Sequence, residues 1–346
     1  MTLRVKRAAL ALAAVWMFAG TSQAAFQDPL DAPAVKSDRA SQGLLNGLAR
    51  AGDRLVAVGQ RGHIVSSTDG AKTWTQVAVP VSSDLVAVHF PTATHGWAVG
   101  HDGVVLATTD GGQSWTKQLD GRAAGQAMAK QYAGAQARLA EEGKRFAEQG
   151  PDKPFLDVWF ENERSGYVVG AFNLIFRTED GGKSWQPWFD KVDNPKALHL
   201  YAVRPVGEDV YIVGEQGLVL KLDRKAGRFT ALPTPYKGSF FGITGTPGAV
   251  LAYGLRGNVF RSTDGGASWA KVETGLQLGL TGSTITEDGR ILLVSQAGHV
   301  LASSDGGASF KPLALERAVP ASALLPAGKA ALVIAGARGV HLLTVK

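Results

Sequence analysis

Six aspartates recur in one kind of polar turn along this 346-residue chain: Asp69, Asp110, Asp180, Asp223, Asp264 and Asp305. Five of them (Asp69, Asp110, Asp180, Asp264 and Asp305) stand in a Ser/Thr-x-Asp-Gly-Gly/Ala-x-Ser/Thr-Trp/Phe context. Asp-Gly runs are a feature of calcium loops, but such a loop needs alternating Asp/Asn ligands and a distal Glu, and those are missing here. The same residues have a mechanical use. The carboxylate and the Ser/Thr hydroxyl accept from turn N–H groups, glycine supplies positive φ, and the Trp ring closes the hairpin. These aspartates are therefore expected to be structural, and no metal is expected.

A second set has recognition chemistry. Arg61, Arg256 and Arg338 each precede a glycine in a turn, and His101 and Asp102 occupy the equivalent turn between them. Guanidinium groups suit a carboxylate or an acidic loop. A third set suggests hydrolysis. Asp157 is a lone charge where the equivalent positions of other repeats read Gly47, Ala87, Ala202 and Gly242. Asp84, His199 and Tyr201 start neighbouring segments. A sialidase-like glycoside hydrolase would need an acid, a Tyr–Glu pair and three converging arginines. Only one Tyr and no clear Glu partner present themselves, so no catalytic residue is assigned, and Asp157 is kept as a channel candidate.

The elements that position these residues form a repeat. It reads as a strand ending in Val-Gly, a tight turn, a second strand and the Asp turn, as in Leu55–Trp74, Gly96–Trp115, Gly166–Trp185 and Val250–Trp269. Val210–Phe229 carries a worn turn, Ile291–Phe310 ends in Phe, and Ala331–Val345 lacks the Asp turn. The aspartates are spaced 41, 70, 43, 41 and 41 residues apart, so only the second interval departs from the period. About forty residues per unit with alternating strands predicts a propeller blade. The fold class is all-β: a seven-bladed β-propeller with Asp-box repeats and one helical insertion, about 121–153, between blades two and three. Within 123–149, Met128, Tyr132, Ala135, Leu139 and Phe146 make an apolar stripe at helical spacing, read as one helix on the rim or against a partner. Blade seven shows only three strands, and Pro29–Lys36 is expected to add the fourth and latch the ring.

The first 24 residues read as a signal peptide. Arg4, Lys6 and Arg7 precede the apolar run Ala8–Ala19, and Ser22-Gln23-Ala24 offers a cleavage site, with Ala25 as the alternative end. An uncleaved anchor is the other reading. Residues 25–346 are then a single propeller. Removing the leader lowers the net charge from +6 to +3, which gives no case for nucleic acid. With no cysteine, disulfides and thiolate sites are excluded.

The repeated VG-x-x-G-x-I/V-x-x-T/S-x-D-G-G-x-S/T-W unit resembles the photosystem II stability/assembly factor-like propellers, a branch of the BNR, sialidase-type repeat proteins. The resemblance runs from Gln42 to Val345. It implies a non-catalytic scaffold without cofactor that holds another protein. By likeness to proteobacterial exported members, it implies a periplasmic location and an envelope partner, such as a membrane-protein complex or an RND-type transporter. It also implies basic residues in the turns of Arg61, Arg256 and Arg338.

Overall fold

The computed structural model describes residues 27–346. The proposed leader, 1–24, lies outside them. Seven antiparallel sheets follow one another, six with four strands and the last with three. Each is a meander in chain order from the central channel outward, as in Leu45–Ala51, Arg54–Gly59, Ile64–Ser67 and Thr75–Val77 of blade one. The second strand of a blade is buried along all or nearly all of its length, completely so in Gly96–Gly100 and Gly166–Gly170. It lies between two neighbouring sheets, so both faces are apolar and the ordinary in–out alternation disappears.

The inner strands expose unpaired edges to the channel, and side chains from adjacent blades satisfy several of them. Asn46 donates to the Leu85 carbonyl at 2.9 Å, joining blades one and two. His89 Nδ1 accepts from Phe160 N–H at 3.2 Å, joining two and three. Asp157 accepts from Val203 N–H at 2.8 Å, joining three and four. Thr281 donates to Ala321 C=O at 2.9 Å, joining six and seven. Buried edge groups left unpaired cost about 1–3 kcal/mol each, so these bonds help fix blade-to-blade geometry.

Two expectations are corrected. Pro29–Lys36 does not complete blade seven. It runs along the outside of blade one, with Ala34 N–H donating to Val79 C=O at 3.0 Å and Ser82 N–H to Pro29 C=O at 2.8 Å. Leu30 is buried there among Val79, Val81 and Leu85. Apolar burial favours the placement, because Leu30 gains a core site there. The ring instead closes by packing, with Leu45, Ala57 and Val65 of blade one against Ala335 and Val340 of blade seven.

The insertion is also not one helix. It forms a hairpin of α1 (Gly121–Tyr132) and α2 (Ala137–Gln149). The helices approach so closely that a Cβ on Gly125 would lie 2.9 Å from the Phe146 carbonyl, and one on Gly143 would lie 2.8 Å from that of Met128. Two glycines on facing sides thus favour a hairpin over a continuous rod. Asp120 caps α1 by accepting from Arg122 and Ala123 N–H. Met128, Tyr132 and Phe146 bury their side chains in the core shared by blades two and three. Tyr132 donates to Asp190 at 2.7 Å, and Gln131 donates to Pro187 C=O at 2.7 Å. The hairpin therefore packs on the propeller's own rim.

Candidate partner-binding face

Strand order gives the ring two unlike faces. One carries the Asp turns. The other carries the turns between second and third strands, the crossovers and the helical hairpin, and Gly121 at the start of α1 abuts the turn at Gly103.

The Asp turns are mechanical. Asp264 Oδ1 accepts from Ser262 Oγ–H at 2.7 Å and Ser268 N–H at 2.9 Å, while Oδ2 accepts from the Ser268 hydroxyl. Those donors, the Ser268 hydroxyl first, hold its pKa down to about 2, and the Ser184 donors do the same for Asp180. Asp69 and Asp305 are held low in the same way, by Thr73 and Ser309. Asp110 makes the same bonds with Ser114. Among the described residues, no group of three or more Asp, Glu, His or Cys side chains is placed to hold a metal.

The opposite face is built from strained turns. Arg61, Asp102, Phe172, Gln216 and Arg256 hold the same position in blades one to five, each left-handed with φ between 54° and 57°. A non-glycine residue in that region costs on the order of 1 kcal/mol or more. In two turns the next blade holds it in place. Asp84 accepts from Arg61 N–H at 2.7 Å, and His199 Nδ1 accepts from Phe172 N–H at 3.2 Å. The conformation directs the middle side chain outward, and Arg61 and Arg256 are exposed. Arg338 is exposed too, but its turn differs. Gly336 pairs directly with Gly339, so Ala337 and Arg338 form a two-residue hairpin tip with no left-handed arginine. His101 is exposed at the channel mouth, whereas the Asp102 carboxylate is occupied by the Ser83 hydroxyl at 2.6 Å.

Apolar groups share this face, and sequence reasoning passed over them. Phe172 is 46% exposed and Leu255 40%. Aromatic rings run from the blade-three turn into the channel: Phe172 to His199 with centroids 4.5 Å apart, His199 to Tyr201 at 6.2 Å, and Tyr201 to Phe241 at 5.7 Å. The sequence carries the signal in the turn triplets Ala171-Phe172-Asn173 and Leu255-Arg256-Gly257, each with a large apolar residue in a solvent-facing turn.

The channel encloses about 770 Å³ and is lined in part by His89, Asp157, Arg204 and Tyr253. Asp157 is buried, and its carboxylate is paired with Arg204 as well as with Val203 N–H. Burial raises its pKa and Arg204 opposes that. Arg204 Nη1 also donates to the carbonyls of Val158 and Val203, so the pair is locked into backbone. Asp157 thus has a structural task, with a partner, Arg204, that no motif or spacing marks. His89, an acceptor from backbone, is pushed down to about 3 by burial and by the Arg204 charge.

Fold and face together define a seven-bladed Asp-box propeller whose carboxylates serve structure and whose turn face presents arginine and aromatic side chains. The sequence model of the photosynthesis system II assembly factor YCF48 family matches residues 66–131 and 145–273, more than half of the chain, and the chain belongs to that family. It is 30% identical over 118 residues to the photosystem II assembly lipoprotein Ycf48 of Synechococcus sp. (strain CC9902), a match spanning 33% of this chain and 35% of that protein. It is 31% identical over 84 residues to the chloroplastic photosystem II stability/assembly factor HCF136 of Arabidopsis thaliana, spanning 24% and 20%. The chain thus spans about a third or less of the length of these curated relatives. Two solved structures share the fold. YCF48 bound to a D1 peptide has a TM-score of 0.62 at 18% identity, covering 88% of this chain and 94% of that one. YCF48 from Cyanidioschyzon merolae has a TM-score of 0.61 at 16% identity, covering 88% and 96%. The relatives in this family are named as assembly factors, not as enzymes.

Proposed function

We propose that this propeller is an exported, non-catalytic scaffold that holds another envelope protein, or an assembly intermediate of one, against its turn face. The observation that carries the reading is the exposure of Arg61, Arg256 and Arg338 on the same face as the exposed Phe172 and Leu255, opposite the Asp turns. Arginine with exposed aromatic and aliphatic groups is the composition of an interface core, able to take a carboxylate and an apolar side chain together. Membership of an assembly-factor family supports protein recognition, and one structural relative was solved with a peptide bound. The leader-like first 24 residues support export to a periplasm. A membrane-protein complex or an RND-type transporter is the class of partner proposed.

Two measurements test this. Cell fractionation should recover the protein, shortened by about two dozen residues, from the periplasm. Affinity capture of the intact chain after crosslinking should retain envelope proteins. The triple variant Arg61→Glu, Arg256→Glu and Arg338→Glu should lose them. Retention of the same proteins by the triple variant would reject this face as the binding surface.

A further inference from the structure

Blade seven differs from the other six sheets in stopping at three strands. Among the described residues, its last strand, Gly339–Thr344, has only Ala331–Gly336 as a strand partner, and on its other side only Thr344 is bonded, to Glu316. In an antiparallel strand, backbone groups of alternate residues point to opposite sides, so every second residue must face away from the partner. The end of the strand sets the alternation. Val345 N–H turns inward to Ala330 C=O at 2.9 Å, whereas Thr344 C=O accepts from Glu316 N–H at 3.1 Å and Lys346 N–H donates to Ala314 C=O at 2.9 Å on the outer side. Val340, Leu342 and Thr344 therefore face outward. Among the described residues, the N–H and C=O groups of Val340 and Leu342 and the N–H of Thr344 have no backbone partner.

The rest of the edge is closed. Ala40 packs against Val340 and Ala335 near the Gly339 end, and Ala314–Glu316 runs antiparallel along the other end, with Leu315 bridged to Val345. Between them lies the stretch Val340–Thr344, whose outward N–H groups have no backbone partner among the described residues. Elsewhere the outermost strands are two to five residues long, and most carry Lys, Arg or Pro, as in Lys117, Pro187, Arg228, Lys271 and Lys311. Such residues discourage strand addition. Val340–Thr344 carries none, and Leu342 is 38% exposed there. The segment that carries the edge is basic. Residues 311–346 hold Lys311, Arg317, Lys329, Arg338 and Lys346 against the single acid Glu316. Arg317 lies 3.4 Å from His341 beside the open strand.

We propose that this edge accepts an extended, acidic segment of a partner protein as the fourth strand of blade seven. Backbone hydrogen bonds to Val340, Leu342 and Thr344 would hold it, and the basic rim would select its charge. The site is separate from the turn-face arginines Arg61 and Arg256.

The test uses the full chain and a capped hexapeptide, Glu-Val-Glu-Val-Glu-Val, with amide exchange at Val340, Leu342 and Thr344 as the readout. Those amides should exchange quickly in the free protein and slow by about tenfold or more when the peptide is bound. Replacing Glu by Lys in the peptide should weaken binding about tenfold or more. N-methylation of one alternate set of peptide residues should abolish binding while methylation of the other set leaves it, because only one set faces the edge. Arg61→Glu with Arg256→Glu should leave peptide binding unchanged. Absence of protection at high peptide concentration, equal binding of both methylated peptides, or amides already protected in the free chain would each overturn the proposal. The last result would mean that the chain's own residues cover this edge.

Discussion

The Asp157 carboxylate on the inner strand of blade three accepts the Val203 N–H of blade four at 2.8 Å. Where Gly47 lets neighbouring inner strands approach through its missing side chain, Asp157 fills the space and bonds across it. Asp157→Ala would leave the Val203 N–H unpaired and Arg204 without its counter-charge, held only by the carbonyls of Val158 and Val203. It should destabilise the fold by about 3 kcal/mol, as truncating one partner of a buried ion pair does. Asp157→Asn, which keeps an acceptor, should cost less. Urea unfolding measures both, and equal, negligible effects would remove Asp157 from the structural account.

Acid should act in two stages. His89 has its pKa lowered to about 3 from 6.5, so the unfolded chain takes up a proton more readily than the native one. That contribution to stability is complete above about pH 6.5 and is lost as pH falls towards 3. The Asp turns, lowered to about 2 at Asp180 and Asp264, contribute above about pH 3.8 and fail only as pH falls further. His89→Gln keeps an acceptor for Phe160 N–H but takes up no proton. Thermal melts from pH 7 to 4 should therefore fall less steeply for this variant than for the parent protein.

The shape of the fold was legible because repetition averages out local ambiguity. Six turn aspartates at a nearly constant interval define blades, and alternation within each unit places the strands. Pairings that depend on one residue were not legible. Nothing in the segment Pro29–Lys36 says that Leu30 has a pocket beside blade one, and Arg204 gives no sign of its bond to Asp157, 47 positions away. Of the apolar stripe, Met128, Tyr132 and Phe146 are buried and Leu139 packs against them, whereas Ala135 is exposed in the turn between the helices. The break came from Gly125 and Gly143, whose role exists only once two helices face each other. At the turns, residue type pointed to Arg61 and Arg256. The shared left-handed backbone that aims them, and the different tip at Arg338, are properties of strand register.

The Asp turns should be indifferent to metal. Their carboxylate oxygens are filled by turn donors, as Thr108, Gln113 and Ser114 fill Asp110. Chelator or added calcium should leave the melting temperature unchanged, whereas Asp264→Ala should lower it. A rise in melting temperature with calcium, removed by Asp264→Ala, would make these turns ion sites.

Close packing of the helical hairpin should be sensitive to side-chain size. Gly125→Val forces α1 away from the Phe146 carbonyl and should destabilise the protein by about 1–3 kcal/mol, the range for overpacking. Tyr132→Phe loses the bond to Asp190 and should cost about 1 kcal/mol. Differential scanning calorimetry of the two variants would rank them.

The division of the ring into a structural face and a recognition face is tested most directly by photo-crosslinking in living cells. A photoreactive residue at Phe172 or Leu255, both exposed on the face of the turn arginines, is expected to trap an envelope protein. The same residue at Lys72 or Lys183 in the exposed Asp turns of the opposite face should trap none. Crosslinks from the Asp-turn positions, with silence at Phe172 and Leu255, would contradict the account.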